Sequence, residues 1–134
     1  MLKKVLSTLA VVAISTFVLT GCSRAVSVYN VDQTKVEIKK GKSSEDVYQA
    51  IKKAGAGLGW IVTKKKEGTA EGRLMLRKHL AVVEIPYSTK SYSINYKNSN
   101  ELNYNPSNNT IHKNYNSWIQ NLDNAIQIQL NALN

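Results

Sequence analysis

"WIVTKKKEGTAEGRLMLRKHLAVVEIPYSTKSYSINYK", residues 60–97, decides the fold. It reads as four successive strands, short, rich in β-branched and aromatic residues, and separated by turn residues. "KEG" at Lys66–Gly68 suits a three-residue hairpin loop whose third position, left-handed, favours glycine. Such a loop pairs position 60 with 74 and 62 with 72, so Trp60 and Val62 share a face with Gly72 and Leu74. A second turn at Arg77–His79 leads into Leu80–Tyr87, where Ala81, Val83, Ile85 and Tyr87 lie on the side of Leu74 and Leu76. "STK" then returns the chain into Ser91–Lys97. Here Tyr92, Ile94 and Tyr96 face in, and Ser93, Asn95 and Lys97 face out.

A meander with one apolar face has to cover that face, and the flanking segments supply the cover. Upstream, "GKSSEDVYQAIKKAGAGLGW" (residues 41–60) reads as a helix. Ser43 is its expected N-cap, with Asp46 completing a capping box and Glu45 and Asp46 near the positive end of the helix dipole. Val47, Ile51, Ala54 and Leu58 form one apolar stripe. Gly55, Gly57 and Gly59 close the helix; a phosphate-binding loop would precede one instead. Before it, "KVEIK" (35–39) alternates like a half-buried strand with Val36 and Ile38 on one side, and is expected to join an edge of the sheet. Downstream, residues 98–113 are rich in asparagine, contain Pro106 and read as a long surface connection tacked down by Leu102, Tyr104 and Ile111. "NYNSWIQNLDNAIQIQLNAL" (114–133) reads as a second helix, capped by Asn114 or Asn116. Its expected stripe is Trp118, Leu122, Ala125, Ile126, Gln129 and Leu133, with Ile119 and Leu130 beside it. The fold class is therefore α+β, a two-layer sandwich. A mainly antiparallel sheet of about five strands, in the order β-α-β-β-β-β-α, carries two helices on one face, and Trp60, Trp118 and the inward tyrosines form much of the core.

The N-terminus has a different character. Lys3 and Lys4, an apolar run from Val5 to Leu19, and then Thr20 and Gly21 give the charge, hydrophobic and small-residue order of an export signal. The apolar run is shorter than the roughly 20 residues a bilayer crossing needs and contains Ser7, Thr8, Ser15 and Thr16. Leu19-Thr20-Gly21-Cys22 resembles the lipobox of bacterial lipoproteins. That resemblance implies cleavage before Cys22, the sole cysteine, with a diacylglycerol on its sulfur and an acyl chain on its new amino group. Each buried methylene contributes about 0.8 kcal/mol, so two or three chains make attachment effectively permanent. With one cysteine no intramolecular disulfide is available, and stability has to come from packing. Ser23 is not the aspartate that marks inner-membrane retention in enteric bacteria, so the same resemblance implies the periplasmic face of the outer membrane, or the outer face of the cell membrane where an organism has only one. The expected organisation is a signal peptide over 1–21, a tether over 22–34 with room for a short extended piece near Val28 to Val31, and a single domain over 35–134.

Removal of Lys3 and Lys4 leaves 16 basic against 9 acidic residues, a formal +7 on about 110 residues, one small domain. Such a charge favours anionic neighbours. Export points away from nucleic acid and towards the membrane, an acidic envelope protein or another anionic envelope component. His79 and His112 are the only histidines, so no ligand spacing supports zinc. No pair of carboxylates or nucleophilic constellation stands out, and an enzyme is not expected; no cofactor is implied beyond the lipid on Cys22.

Residues 99–122, "SNELNYNPSNNTIHKNYNSWIQNL", are the most distinctive stretch. Together with Trp60 and the Tyr92, Ile94, Tyr96 pattern, the positions Ser99, Leu102 and Tyr104 and then Ile111, His112, Tyr115, Asn116 and Trp118 resemble an uncharacterised group of small bacterial envelope lipoproteins. The resemblance covers about residues 44–130 and implies an architecture and a location but no mechanism. Two readings of the cluster stand side by side. In one, Ser99, Asn100, Asn114 and Asn116 satisfy backbone groups where the chain leaves the sheet and starts the helix, while Tyr104, His112, Tyr115 and Trp118 hold the connection down. In the other, Tyr104, His112, Tyr115 and Asn116 line a polar cleft for a sugar or peptide fragment. A further candidate is the outward sheet face, where Lys65, Arg73, Arg77 and Lys97 are expected around Ile61, Met75 and Val82, either as a contact for a protein or lipid or as an ordinary solvated face. The function expected from these features is a lipid-anchored periplasmic binding or scaffolding domain. Small-ligand binding is the alternative, and an envelope enzyme a more distant one.

Overall fold

The computed structural model describes residues 24–134, so the expected signal peptide and Cys22 lie outside the described residues. Seven strands and two helices follow in the order β1 (Ala25–Ser27), β2 (Val31–Lys35), α1 (Ser44–Gly57), β3 (Trp60–Lys66), β4 (Thr69–Leu76), β5 (His79–Pro86), β6 (Ser91–Asn100), β7 (Thr110–His112) and α2 (Lys113–Asn131). The main sheet is antiparallel with strand order β2-β6-β5-β4-β3, and β1 pairs with β7 in a separate two-stranded ladder. The α+β sandwich read from the sequence is the fold observed.

The meander keeps the expected register. Trp60 lies opposite Leu74 and Val62 opposite Gly72. The hairpin loop is tighter than expected: Lys66 pairs with Thr69 after a slip past Lys64, leaving Glu67 and Gly68 at the tip, with Gly68 at φ +79°. Across β4 and β5, Leu74 faces Ala81, Gly72 faces Val83 and Ala70 faces Ile85, and all six are buried. Leu76, expected on that face, instead stands 43% exposed where β4 ends. On β6, Tyr92 and Ile94 are buried and Tyr96 is partly so.

α1 begins as its capping box requires, with Ser43 accepting from the Asp46 amide while Asp46 accepts from the Ser43 amide. Val47, Ile51 and Ala54 are buried together with Tyr48 and Ala50. Leu58, the expected fourth member of the stripe, is the C-cap residue and is 41% exposed, because the helix ends before the turn that would point it inward. On α2 the buried line is Tyr115, Ile119, Leu122, Ile126 and Leu130. That line is rotated from the expected stripe, so Trp118, Ala125 and Leu133 become flanks and Trp118 is only half-buried. Both helices pack against the face formed by Trp60, Val62, Leu74, Val83, Ile85 and Ile94 in one core.

The N-terminal expectations need correction. Residues 25–35 are not a tether: Val26 pairs with Ile111 in the small ladder, and Val31 pairs with Ile94 at the edge of the main sheet. β2 bulges between Val31 and Thr34, with Gln33 at φ +43° and its amide bonded to Ser93 Oγ at 2.9 Å. A bulge removes the alternation by which a strand is recognised. The first strand accordingly ends at Lys35 instead of starting there. Val36 still donates to Lys90 O at 2.8 Å and is buried, but the chain then leaves the sheet, and Asn134 holds it through Lys39 N at 2.7 Å and Glu37 O at 3.0 Å.

Residues 98–113 are also more regular than a surface connection. β6 runs on to Asn100, with an extra residue at Lys97 where its pairing with β5 slips between Val82 and Val83. The turn that follows places Glu101, Asn103 and Asn109 at positive φ. It closes through paired Asn105–Thr110 backbone bonds and through His112 N donating to Leu102 O at 2.9 Å.

Candidate functional site

The Lys97 bulge shapes the first of the two candidate regions. Tyr96 faces Val83 and Ser99 faces Ala81, so both point inward although they are three residues apart. Their hydroxyls meet at 2.8 Å. Tyr104 stacks on the Tyr96 ring at 4.2 Å between centroids, and Tyr115 meets the same ring edge-on at 5.6 Å. Tyr96 is therefore the hub of the aromatic cluster, and its amide is held by Asn30 Oδ1 at 2.9 Å. Sequence reasoning placed Tyr96 in the core and missed this role. The alternation that marks it as inward gives no sign that a bulge will turn Ser99 the same way.

The structure brings Ser99, Tyr104 and Tyr115 together around that hub and employs the rest of the cluster separately. His112, not Asn114 or Asn116, caps α2, its Nδ1 accepting from the Asn114 amide at 3.1 Å. Asn116 clamps the link between β1 and β2, accepting from Tyr29 N at 3.0 Å and donating to Ser27 O at 2.9 Å. An asparagine one turn inside a helix can reach an adjacent chain in this way, whereas a cap satisfies its own helix. Tyr115 is fully buried and burial pushes its hydroxyl pKa up; among the described residues that hydroxyl has no partner. Trp118 lies apart, with Leu58, Trp60, Leu74 and Leu76. A shallow groove of about 660 Å3 does open beside the cluster, but it is lined by the contiguous run 96–104, which brings in Tyr104 and Ser99 and leaves out His112, Tyr115 and Asn116.

The second region is the sheet face opposite the helices. Here Glu71 and Glu84 stand directly across from each other on β4 and β5, a like-charge pairing that is unfavourable without counter-ions. Three cations answer Glu71: Lys97 at 2.8 Å, Arg73 at 3.5 Å and Lys65 at 3.7 Å. Glu71 itself is only 6% exposed. The Lys97 hydrogen bond, opposed by burial and helped by the charges of Lys65 and Lys97, holds its carboxyl below the ordinary glutamate range. Arg73 lies opposite Val82 on β5, and its guanidinium reaches Glu71 two residues back on its own strand.

Three of the four basic residues expected on this face are thus gathered by one carboxylate that the sequence did not single out. Arg77 is not with them; it occupies the turn between β4 and β5 at φ +55°. Ile61 and Met75 are exposed as expected, at 68% and 59%. Val82, whose cross-strand partners are Arg73 and Asn98, is buried and so adds no exposed apolar surface to this face.

Among the described residues, no group of three His, Cys, Asp or Glu side chains converges to hold a metal, and no helix is long and apolar enough to cross a membrane. Fold and surfaces together define a small α+β sandwich with one helix-covered and one open sheet face. Compared with protein-family models, curated proteins and solved structures, the chain finds no match.

Proposed function

We propose that this protein is a lipid-anchored domain of the bacterial cell envelope, held by diacylglycerol and N-acyl chains on Cys22 at the periplasmic face of the outer membrane, and that it binds or scaffolds another envelope component through its open sheet face. The observation that carries the binding surface is the pairing of exposed Ile61 and Met75 with a fixed basic cluster. Apolar side chains that a folded domain leaves uncovered, set beside positive groups whose positions are already ordered, form a surface suited to an acidic partner, because less side-chain freedom is lost when the contact forms. The anchor rests on the Leu19–Cys22 motif behind its apolar run, and the resemblance of residues 44–130 to small envelope lipoproteins agrees with it.

The small-ligand reading has less to stand on, since His112 and Asn116 are engaged in backbone capping and clamping and Tyr115 has no exposed surface. Among the described residues no group of three metal-ligating side chains supports an enzyme reading. Photo-crosslinking in intact cells tests the binding surface: a reactive side chain at position 61 or 75 is expected to trap a discrete partner, one at exposed Gln49 on α1 is not, and Arg73→Glu is expected to weaken the adduct. Equal labelling from all three positions, or none from positions 61 and 75, would overturn the assignment of this face. Palmitate incorporation that persists in Cys22→Ser would overturn the anchor.

A further inference from the structure

One end of the fold collects segments distant in sequence. β3 and β5 start there, β4 and β6 finish there, α1 ends and α2 begins. Backbone and side-chain contacts tie these segments together. Lys113 N donates to Arg24 O at 2.8 Å, His112 N to Leu102 O at 2.9 Å, and Lys78 lies 3.9 Å from Glu101. The described chain therefore starts at this end, and it starts fixed: residue 24 is already hydrogen-bonded into the first turn of α2.

Two further properties set this end apart. Leu58 and Leu76 are exposed there and, with half-buried Trp118, rim a small hollow over Trp60 and Leu74. Of the nine acidic side chains only Glu101 lies in the turns and element ends that meet here, and it pairs with Lys78. Arg24, Arg77 and Lys113 have no salt bridge among the described residues. Basic groups at the same end as exposed apolar side chains and a half-buried tryptophan are the composition that a membrane–water interface accepts.

We propose that this end, which carries Arg24, Arg77 and Lys113 together with Leu58, Leu76 and Trp118, docks on the anionic phospholipid surface of the bilayer that holds Cys22. The inference rests on the lipid anchor proposed above and adds an orientation to it. Only two residue steps separate Cys22 from Arg24, a reach of about 7 Å in fully extended chain. That is shorter than the Debye length of roughly 8–10 Å at physiological salt, so Arg24 acts on headgroup phosphates without being screened out, and Lys113, whose backbone is bonded to Arg24, is held at the same end. A long tether would let the domain tumble clear of the surface, whereas one this short holds the same end down. The open sheet face then stands across the membrane plane, where a partner can reach it.

The test uses the full chain purified from membranes, its acyl state read from the mass of the N-terminal peptide, and reconstituted into phosphatidylethanolamine–phosphatidylglycerol vesicles with brominated acyl chains. Docking predicts a roughly twofold or greater quenching of Trp118 emission, identified by its loss in Trp118→Phe, and weaker quenching in vesicles where phosphatidylcholine replaces phosphatidylglycerol. Arg77→Glu combined with Lys113→Glu is expected to restore most of the emission while leaving the acyl chains in place. If that variant does not fold, hydrogen exchange of the unaltered protein serves instead, with vesicle-dependent protection expected around residues 76–79 and the first turn of α2 but not around Ser43–Glu45. Unquenched Trp118, or protection that is uniform or absent, on vesicles that carry the acylated protein overturns the docking and leaves the anchor standing. A free thiol at Cys22 removes the anchor, and the docking with it.

Discussion

A methyl group added at Gly55 would lie 2.7 Å from Val62 Cγ2 and 3.2 Å from Trp60 Cβ, whereas one added at Gly57 meets nothing within 4 Å. Both positions are helical, so alanine gains propensity at each. At Gly55 the gain is outweighed, because Val62 is β-branched and lies on a strand paired across to Gly72, and neither can retreat. Gly55→Ala is expected to lower stability by about 1 kcal/mol and Gly57→Ala to raise it by about 0.5 kcal/mol, both measured by denaturant unfolding. The glycines of α1 thus have two roles that look alike in sequence. One lets helix and sheet approach; the other merely weakens the last turn.

At the scale of elements, β1 shows how little sequence a strand requires when its partners are already in place. Three residues pair with β7, and Asn116 on α2 holds both sides of the link that follows. Asn116→Ala removes an acceptor from Tyr29 N and a donor from Ser27 O, both near the surface. A loss of about 1 kcal/mol is expected, together with faster amide exchange at Tyr29 and little change in the β3–β4 hairpin. A slowdown in folding shared by all elements would contradict this local role. The Lys97 bulge is a second device of this kind. One extra residue on β6 sets Tyr96 and Ser99 on the same face and places an ammonium group against Glu71.

Across the whole molecule, Glu71 joins three strands through Lys65, Arg73 and Lys97. Its folded pKa is lowered, chiefly by the Lys97 hydrogen bond, relative to an unfolded value of about 4.3. A depressed carboxyl contributes stability that is present above the unfolded pKa and is lost as pH falls through the folded one. Glu71→Gln is therefore expected to be less stable than the parent at neutral pH, with the gap narrowing only as pH falls below the ordinary glutamate range and closing once the folded carboxyl is protonated, in thermal melts collected as a function of pH. A gap that stays constant down to strongly acid pH would show that Glu71 acts through packing instead of charge. The same carboxylate limits what the open face can bind: it neutralises part of the basic cluster and fixes the remainder in position.

Much of this was legible beforehand, and the limits have a physical pattern. The α+β class, the β3–β4 register and the Ser43–Asp46 capping box follow from local chemistry, because alternation, turn glycines and caps act over a few residues. β1 and β7 were hidden and β2 was legible only as a short extended piece near its start, since each is short or bulged and is ordered by a partner far away in the chain. The candidate cluster divided for the same reason. Its residues fall within one stretch of sequence, 99–118, but a β-bulge, a helix start and an interstrand clamp send them to different partners. The sequence by itself determined the elements whose signals are local and the apolar surface they had to bury. The tertiary structure alone decided that Glu71 gathers three cations, that Tyr96 organises three neighbours and that Arg24 is tied to Lys113, because each depends on which distant backbones come within hydrogen-bonding reach.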